Sequence, residues 1–175
     1  MHELPLRQIL EQGFESIRFA LGKKITNAKY EKVFKACRDV GVKTRAYALV
    51  GLPGDTRQTI QESFDFIAGL EPDEVSYTPV TLYPGTKLFA DAVQQGLFQA
   101  DAWKNYIAGA ASMPYYLPPG LTLEDVNTCI FEESKNFYLT PKRILKRMRE
   151  AQSAEDVLDC VKAMLAYLAG PLINQ

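Results

Sequence analysis

Two short strings in the sequence have residue types and spacing suited to ligand chemistry. They are Val50-Gly51-Leu52-Pro53-Gly54-Asp55-Thr56 and Leu82-Tyr83-Pro84-Gly85-Thr86. Each follows an apolar run and precedes a helical pattern. Glycine there lets a ligand approach the main chain closely, and the helix start just beyond offers N–H groups to an anion. The first string is not a Walker phosphate loop, because no Gly-Lys-Ser/Thr follows Gly51. Glycine and proline also make ordinary strand-to-helix connections, and from spacing alone that plainer reading is preferred.

Other chemistry is thinly supplied. Cys37, Cys129 and Cys160 lie far apart, each inside an amphipathic helical pattern, so they read as small buried hydrophobes rather than a disulfide framework or a metal site. The single histidine, His2, stands beside the chain start, which argues against histidine acid–base catalysis. One charge cluster stands out, Pro141-Lys142-Arg143-Ile144-Leu145-Lys146-Arg147-Met148-Arg149. It reads as the solvated face of a helix before it reads as a contact for phosphate or lipid.

The elements that must position the two turns follow from periodicity and punctuation. Leu6, Ile9 and Leu10 suggest a short helix ending at Gly13, and Ser16 to Leu21 a first strand. Thr26 or Asn27 can cap a helix through Tyr30, Val33, Phe34 and Cys37. Thr44 to Val50 reads as a second strand, apolar enough from Ala46 for both faces to be covered. Asp55 or Thr56 starts the next helix, with Ile60, Phe64 and Ile67 inward, and Asp55 with Gln58 has capping-box spacing. Val75 to Leu82 is a third strand, which Pro79 requires to be bulged, short or at an edge. A helix through Leu88, Phe89 and Val93 runs to Gly96.

Strand and helix alternating with short connections is the pattern of a parallel α/β unit. The second half changes character. A short helix carries Trp103, Met113 to Gly120 is irregular and proline-rich, and helices follow from Thr122, Thr140-Pro141 and Ser153. The last carries Val157, Val161, Met164, Leu165 and Leu168 and is ended by Gly170-Pro171. The organisation expected is a unit over 1–108, an irregular linker over 109–121 and a helical extension over 122–175.

The 175 residues suffice for one well-buried domain, and 47% hydrophobic with 23% charged residues is ordinary globular composition. A formal net charge of −1 gives no reason to expect nucleic acid as a partner. No apolar run approaches the roughly 20 residues of a transmembrane helix, and Met1-His2-Glu3-Leu4-Pro5 lacks the features of a signal peptide. A cytoplasmic setting is the default expectation.

Taken together and in order, the two strings carry a family resemblance. Gly41 to Thr56 resembles the fifth-strand segment of radical S-adenosylmethionine (SAM) enzymes, and Pro79 to Leu88 is similar to their sixth-strand segment. Gly96-Leu97-Phe98 adds to the likeness. Phe137-Tyr138-Leu139-Thr140-Pro141-Lys142-Arg143-Ile144-Leu145 resembles the cobalamin-dependent subgroup that includes the anaerobic magnesium-protoporphyrin monomethyl ester cyclases. The likeness covers about residues 6–168.

The resemblance implies an α/β fold, a partial (β/α) barrel of about three parallel strands followed by a helical C-terminal extension. It implies SAM across the strand ends, with Val50, Gly51 and Pro53 on one side of the adenosine and Thr81, Leu82 and Tyr83 on the other. For the full-length relative it implies a [4Fe–4S] cluster and radical chemistry, such as tetrapyrrole cyclisation or methylation. The sequence departs from the family in two places. It has no CxxxCxxC, the thiolate triplet that binds the cluster, and Phe19 to Thr26 lacks the acid usual after the fourth strand. These departures predict a fragment or a degenerate member, inactive alone, with no catalytic or metal residues assigned and no cofactor held tightly. Cobalamin would need a further domain. Three strands cannot close a barrel, so open sheet edges are expected to invite self-association or the missing half of the barrel. The alternative is a structural or interaction module of α/β class without a cofactor.

Overall fold

The computed structural model describes residues 26–169. The first expected helix (6–13) and strand (16–21) lie outside the described residues. The chain divides into two compact units, Met1–Val126 and Asn127–Gln175.

Within the described residues the first unit begins with helix α1 (Asn27–Asp39), then strand β1 (Arg45–Val50), α2 (Arg57–Gly69), β2 (Glu74–Pro79), α3 (Lys87–Gln94) and α4 (Ala102–Ile107). Helix α5 (Leu123–Tyr138) starts in this unit and continues into the second, where α6 (Pro141–Glu150) and α7 (Ala154–Ala169) follow. The described part is thus α/β, with seven helices and a two-stranded parallel sheet, and it is not a closed barrel.

β1 and β2 pair in register from Arg45 opposite Glu74 to Val50 opposite Pro79. Side chains alternate across a strand, so Ala46, Ala48 and Val50 share a face with Val75, Tyr77 and Pro79. Ala46, Val50 and Val75 are buried. Helix α2 buries Ile60, Phe64 and Ile67, spaced i, i+4, i+7, and the Phe64 ring meets Tyr77 edge-on at 4.8 Å. The opposite face differs from expectation. Tyr47 and Leu49 are 73% and 56% exposed, so among the described residues only one face of β1 is covered. The apolar run predicts a strand covered on both faces, but Tyr47 sits against Arg45, which donates to its hydroxyl and pairs with Glu74.

β2 is shorter than Val75–Leu82. Pro79 has no N–H to donate, and the ladder stops there. Val80 still donates to the Val50 carbonyl at 2.9 Å, and the chain then makes one antiparallel bridge, Thr81 with Tyr115. The starts of the strands are tied by Asp73, whose carboxylate accepts from the Thr44 amide at 2.8 Å. The 109–121 segment is irregular yet packed. Tyr116 is 1% exposed and joins Val80, Leu82 and Ala92 in a core cluster.

In the second unit, the apolar residues expected on α7 divide between its two sides. Val161, Leu165 and Leu168 are exposed, whereas Cys160, Met164 and Tyr167 face Tyr138 and Met148 around a small cavity. The Tyr138 and Tyr167 rings stack at 5.7 Å, with Arg147 over Tyr138 and Arg143 over Phe137. Apolar residues occur on both sides of this helix, so periodicity alone could not choose between stripes, and the ring pair decides it.

Truncating the α2 stripe and the open sheet face should have unequal costs. Phe64→Ala is expected to destabilise the protein by about 3–5 kcal/mol, while Leu49→Thr should change stability by less than about 0.5 kcal/mol. Urea unfolding of both variants checks this, and equal losses would mean that the Leu49 face is covered.

Candidate functional site

The loop after β1 is organised around a carboxylate. Asp55 is 8% exposed and is the buried charged side chain among the described residues. Its Oδ2 accepts the Gly51 amide at 3.0 Å and the Leu52 amide at 2.7 Å, and its Oδ1 accepts the Thr59 hydroxyl at 3.1 Å. Gly51 has φ of 85°, a conformation that disfavours a side chain, and this lets two successive amides point at one oxygen. The expected capping box lies one residue later than Asp55-Gln58. Thr56 is the N-cap, its hydroxyl accepts the Thr59 amide, and the Thr59 hydroxyl accepts the Thr56 amide. Asp55 is directed back into the loop instead.

Tyr116 and Pro118 close the loop from the far side. The Tyr116 amide donates to the Val80 carbonyl at 2.8 Å. A Cβ added to Gly51 would lie 3.4 Å from Pro118 Cδ and 3.8 Å from the Tyr116 carbonyl. The Tyr116 hydroxyl is buried without a hydrogen-bond partner. Burial first, and the nearby Asp55 charge second, push the Tyr116 phenol up from its usual range. Burial also pushes the Asp55 carboxyl up, against the opposing pull of the Leu52, Thr59 and Gly51 hydrogen bonds.

The turn after β2 is held by aromatic contacts. Leu82 is 2% exposed, and its carbonyl accepts the Trp103 indole N–H at 2.6 Å. The Tyr83 ring stacks on Trp103 with centroids 5.0 Å apart and 28° between planes. The Thr86 hydroxyl donates to the Tyr83 carbonyl at 2.8 Å and accepts the Phe89 amide at 3.2 Å, capping α3.

The Val80–Val50 hydrogen bond brings both turns to the same end of the parallel pair, where α/β proteins place ligands. The six residues singled out by the sequence are not equally accessible there. Val50, Gly51, Pro53 and Leu82 are buried, Thr81 is half-buried, and Tyr83 is exposed. Val50 and Leu82 can offer only main-chain atoms, since their side chains belong to the core. The Gly51 and Leu52 amides are already satisfied by Asp55, so this turn is not an anion cradle. Four residues that shape the site carried no functional weight in the sequence: Asp55, Trp103, Tyr116 and Pro118. The usable signals were an acid directly after Pro-Gly, where an Asx-type turn can form, and the sole tryptophan of the chain.

A [4Fe–4S] cluster does not fit the described residues. Cys37, Cys129 and Cys160 sit half-buried on α1, α5 and α7, and the described residues contain no group of three metal-ligating side chains. No step through a cluster is therefore assigned to this chain. An adenosine is a better match to the strand ends, since it needs ring contacts and a few main-chain partners rather than a charged cradle. Among the described residues, no helix is long and apolar enough to cross a membrane.

Comparison with known proteins gives two relatives. The chain is 26% identical over 141 residues to an uncharacterized methyltransferase of Pyrococcus horikoshii, spanning 81% of this chain and 30% of that protein. It is 23% identical over 117 residues to the anaerobic magnesium-protoporphyrin IX monomethyl ester cyclase of Cereibacter sphaeroides, spanning 67% of this chain and 18% of the cyclase. The chain thus spans less than a third of the length of either relative. No family model matches, and no solved structure gives a significant match.

Three substitutions test the loop. Asp55→Ala should cost on the order of 2–3 kcal/mol, because it leaves the Gly51 and Leu52 amides without their acceptor. Asp55→Asn keeps an acceptor and removes the titration. A carboxyl raised in the folded state contributes stability that is complete below its unfolded pKa and is lost as pH rises through the folded value. Wild type minus Asp55→Asn stability should therefore fall as pH rises from the ordinary carboxylate range, then level off. Tyr116→Phe removes an unpartnered hydroxyl and should be neutral or stabilising by up to about 1 kcal/mol. Urea titrations between acid and neutral pH measure all three, and a difference that rises with pH would contradict the account of Asp55.

Proposed function

We propose that this chain supplies the adenosine-facing strand ends of an S-adenosylmethionine-dependent protein related to the radical SAM enzymes. The observation that carries the reading is the meeting of two ordered turn motifs, after Val50 and after Leu82, at one end of a parallel strand pair. The name of the Pyrococcus relative, a methyltransferase, agrees with SAM as the ligand, and the cyclase agrees with the subgroup likeness of the segment around Thr140-Pro141. On this reading the Val50–Gly51 and Thr81–Leu82 main chain flanks the adenosine and Tyr83 offers it a ring. SAM there would supply a methyl group or, with a reductant, a carbon radical. This chain's part is binding and orientation. The reaction of the whole protein is proposed only by class: methyl transfer or oxidative cyclisation, with tetrapyrrole as the candidate substrate type. The proposed organisation keeps 1–108 as the barrel-derived part and 122–175 as the helical extension.

A second reading, a structural α/β module without a cofactor, is favoured by the internal satisfaction of the Gly51 loop. The two readings separate in one calorimetric titration. SAM should bind saturably and weakly, with a Kd of roughly 0.1–1 mM, corresponding to about −5.5 to −4 kcal/mol. Free adenosine should compete, because the strand ends would recognise that part of the ligand. No saturable heat up to several times that range would leave the structural module as the reading.

A further inference from the structure

The deepest commitment of the β2 turn is to Trp103, the chain's only tryptophan. Its Nε1–H holds the Leu82 carbonyl at 2.6 Å, across 21 residues of sequence. Its ring lies against Tyr83, and its edge meets Tyr106 at 5.8 Å and 86°. The neighbouring groups are held as well. The Leu82 side chain is locked in the cluster with Val80, Ala92 and Tyr116, and the Tyr83 carbonyl accepts the Thr86 hydroxyl. Against this, Tyr83 remains 55% exposed although Trp103 stacks on its ring.

A turn needs none of this to reverse the chain. Thr86 already closes it, through both its amide and its hydroxyl on the Tyr83 carbonyl. What Trp103 adds is direction: it aims one carbonyl and fixes the plane of one exposed aromatic ring. Rigid aromatic rings make contact surfaces at low entropic cost, because little motion is lost on binding. We propose that Trp103 is the positioning residue of this strand-end wall, holding Leu82 and Tyr83 so that a planar heteroaromatic ring stacks on the open face of Tyr83. The proposal rests on the reading that the strand ends take an adenosine.

The test uses the full chain and S-adenosylmethionine, followed by calorimetry and by Trp103 emission, in wild type, Trp103→Phe and Tyr83→Leu. Trp103→Phe keeps a ring and deletes the N–H donor. The expected result is a saturable change in wild-type emission with the calorimetric midpoint, and an affinity about tenfold weaker in either variant. Ligand-free thermal unfolding establishes that each variant is folded. Variants that bind within twofold of wild type would overturn the role of Trp103 and leave the adenosine reading standing. A wild type that gives no saturable heat would overturn the adenosine reading and this proposal with it. If Trp103→Phe does not fold, Tyr83→Leu, on an exposed side chain, decides alone by the same criterion.

Discussion

At the point where β1 becomes α2, a carboxylate is buried with no cation beside it in the hydrogen bonds that hold it. An ion in that position is tolerated only if its oxygens are hydrogen-bonded, and Asp55 meets the condition with two main-chain amides and one hydroxyl. The requirement runs both ways. Gly51 must take a positive φ for both amides to converge on one oxygen, and the absence of a side chain there lets Pro118 approach. Thr59 must sit one turn into α2, which sets the helix start and, through the Thr56–Thr59 box, its direction. The same helix then delivers Phe64 onto Tyr77 and so fixes the covered face of the sheet.

That covered face explains the asymmetry of the strands. Parallel pairs are normally covered on both sides, yet in the described residues β1 shows Tyr47 and Leu49 to solvent while Ala46 and Val50 are buried. The charged pair Arg45–Glu74 lies at the start of the open face, at the end of the strands away from the two turns. The end that carries the turns is closed from the side by Tyr115 and Tyr116, which extend the pairing beyond Pro79. The irregular proline-rich stretch therefore acts as a third, antiparallel neighbour for two residues only.

The parts of this arrangement legible in the sequence are those written locally. Thr56, Thr122 and Ser153 mark helix starts because each hydroxyl accepts the amide three residues on, and Pro141 marks the start after Thr140 by its fixed φ. The α2 stripe of Ile60, Phe64 and Ile67 was legible for the same reason. What escaped is set by contacts distant in sequence. Trp103 finds Leu82 across 21 residues, and Tyr116 finds Val80 across more, so neither bond leaves a periodic trace. Asp55 was visible as a helix-start residue but not as the anchor of the preceding loop, because its partners are amides, which every residue has. On α7, apolar residues on both sides left periodicity without a preference, and a tyrosine pair decided it.

The electrostatics of the two turns bear on what could bind beside them. A phosphate needs unpaired N–H groups or a cation, and the first turn has spent its amides on Asp55 and places a carboxyl beneath them. Burial raises that carboxyl's pKa, yet as pH climbs through it the charge that appears is negative and repels an anion. A neutral heteroaromatic ring is indifferent to this. It asks for a flat apolar face, and the second turn has an exposed tyrosine ring backed by Trp103. On the proposed reading, a ligand at these strand ends would be disfavoured at a phosphate by Asp55 and favoured at a base by Tyr83.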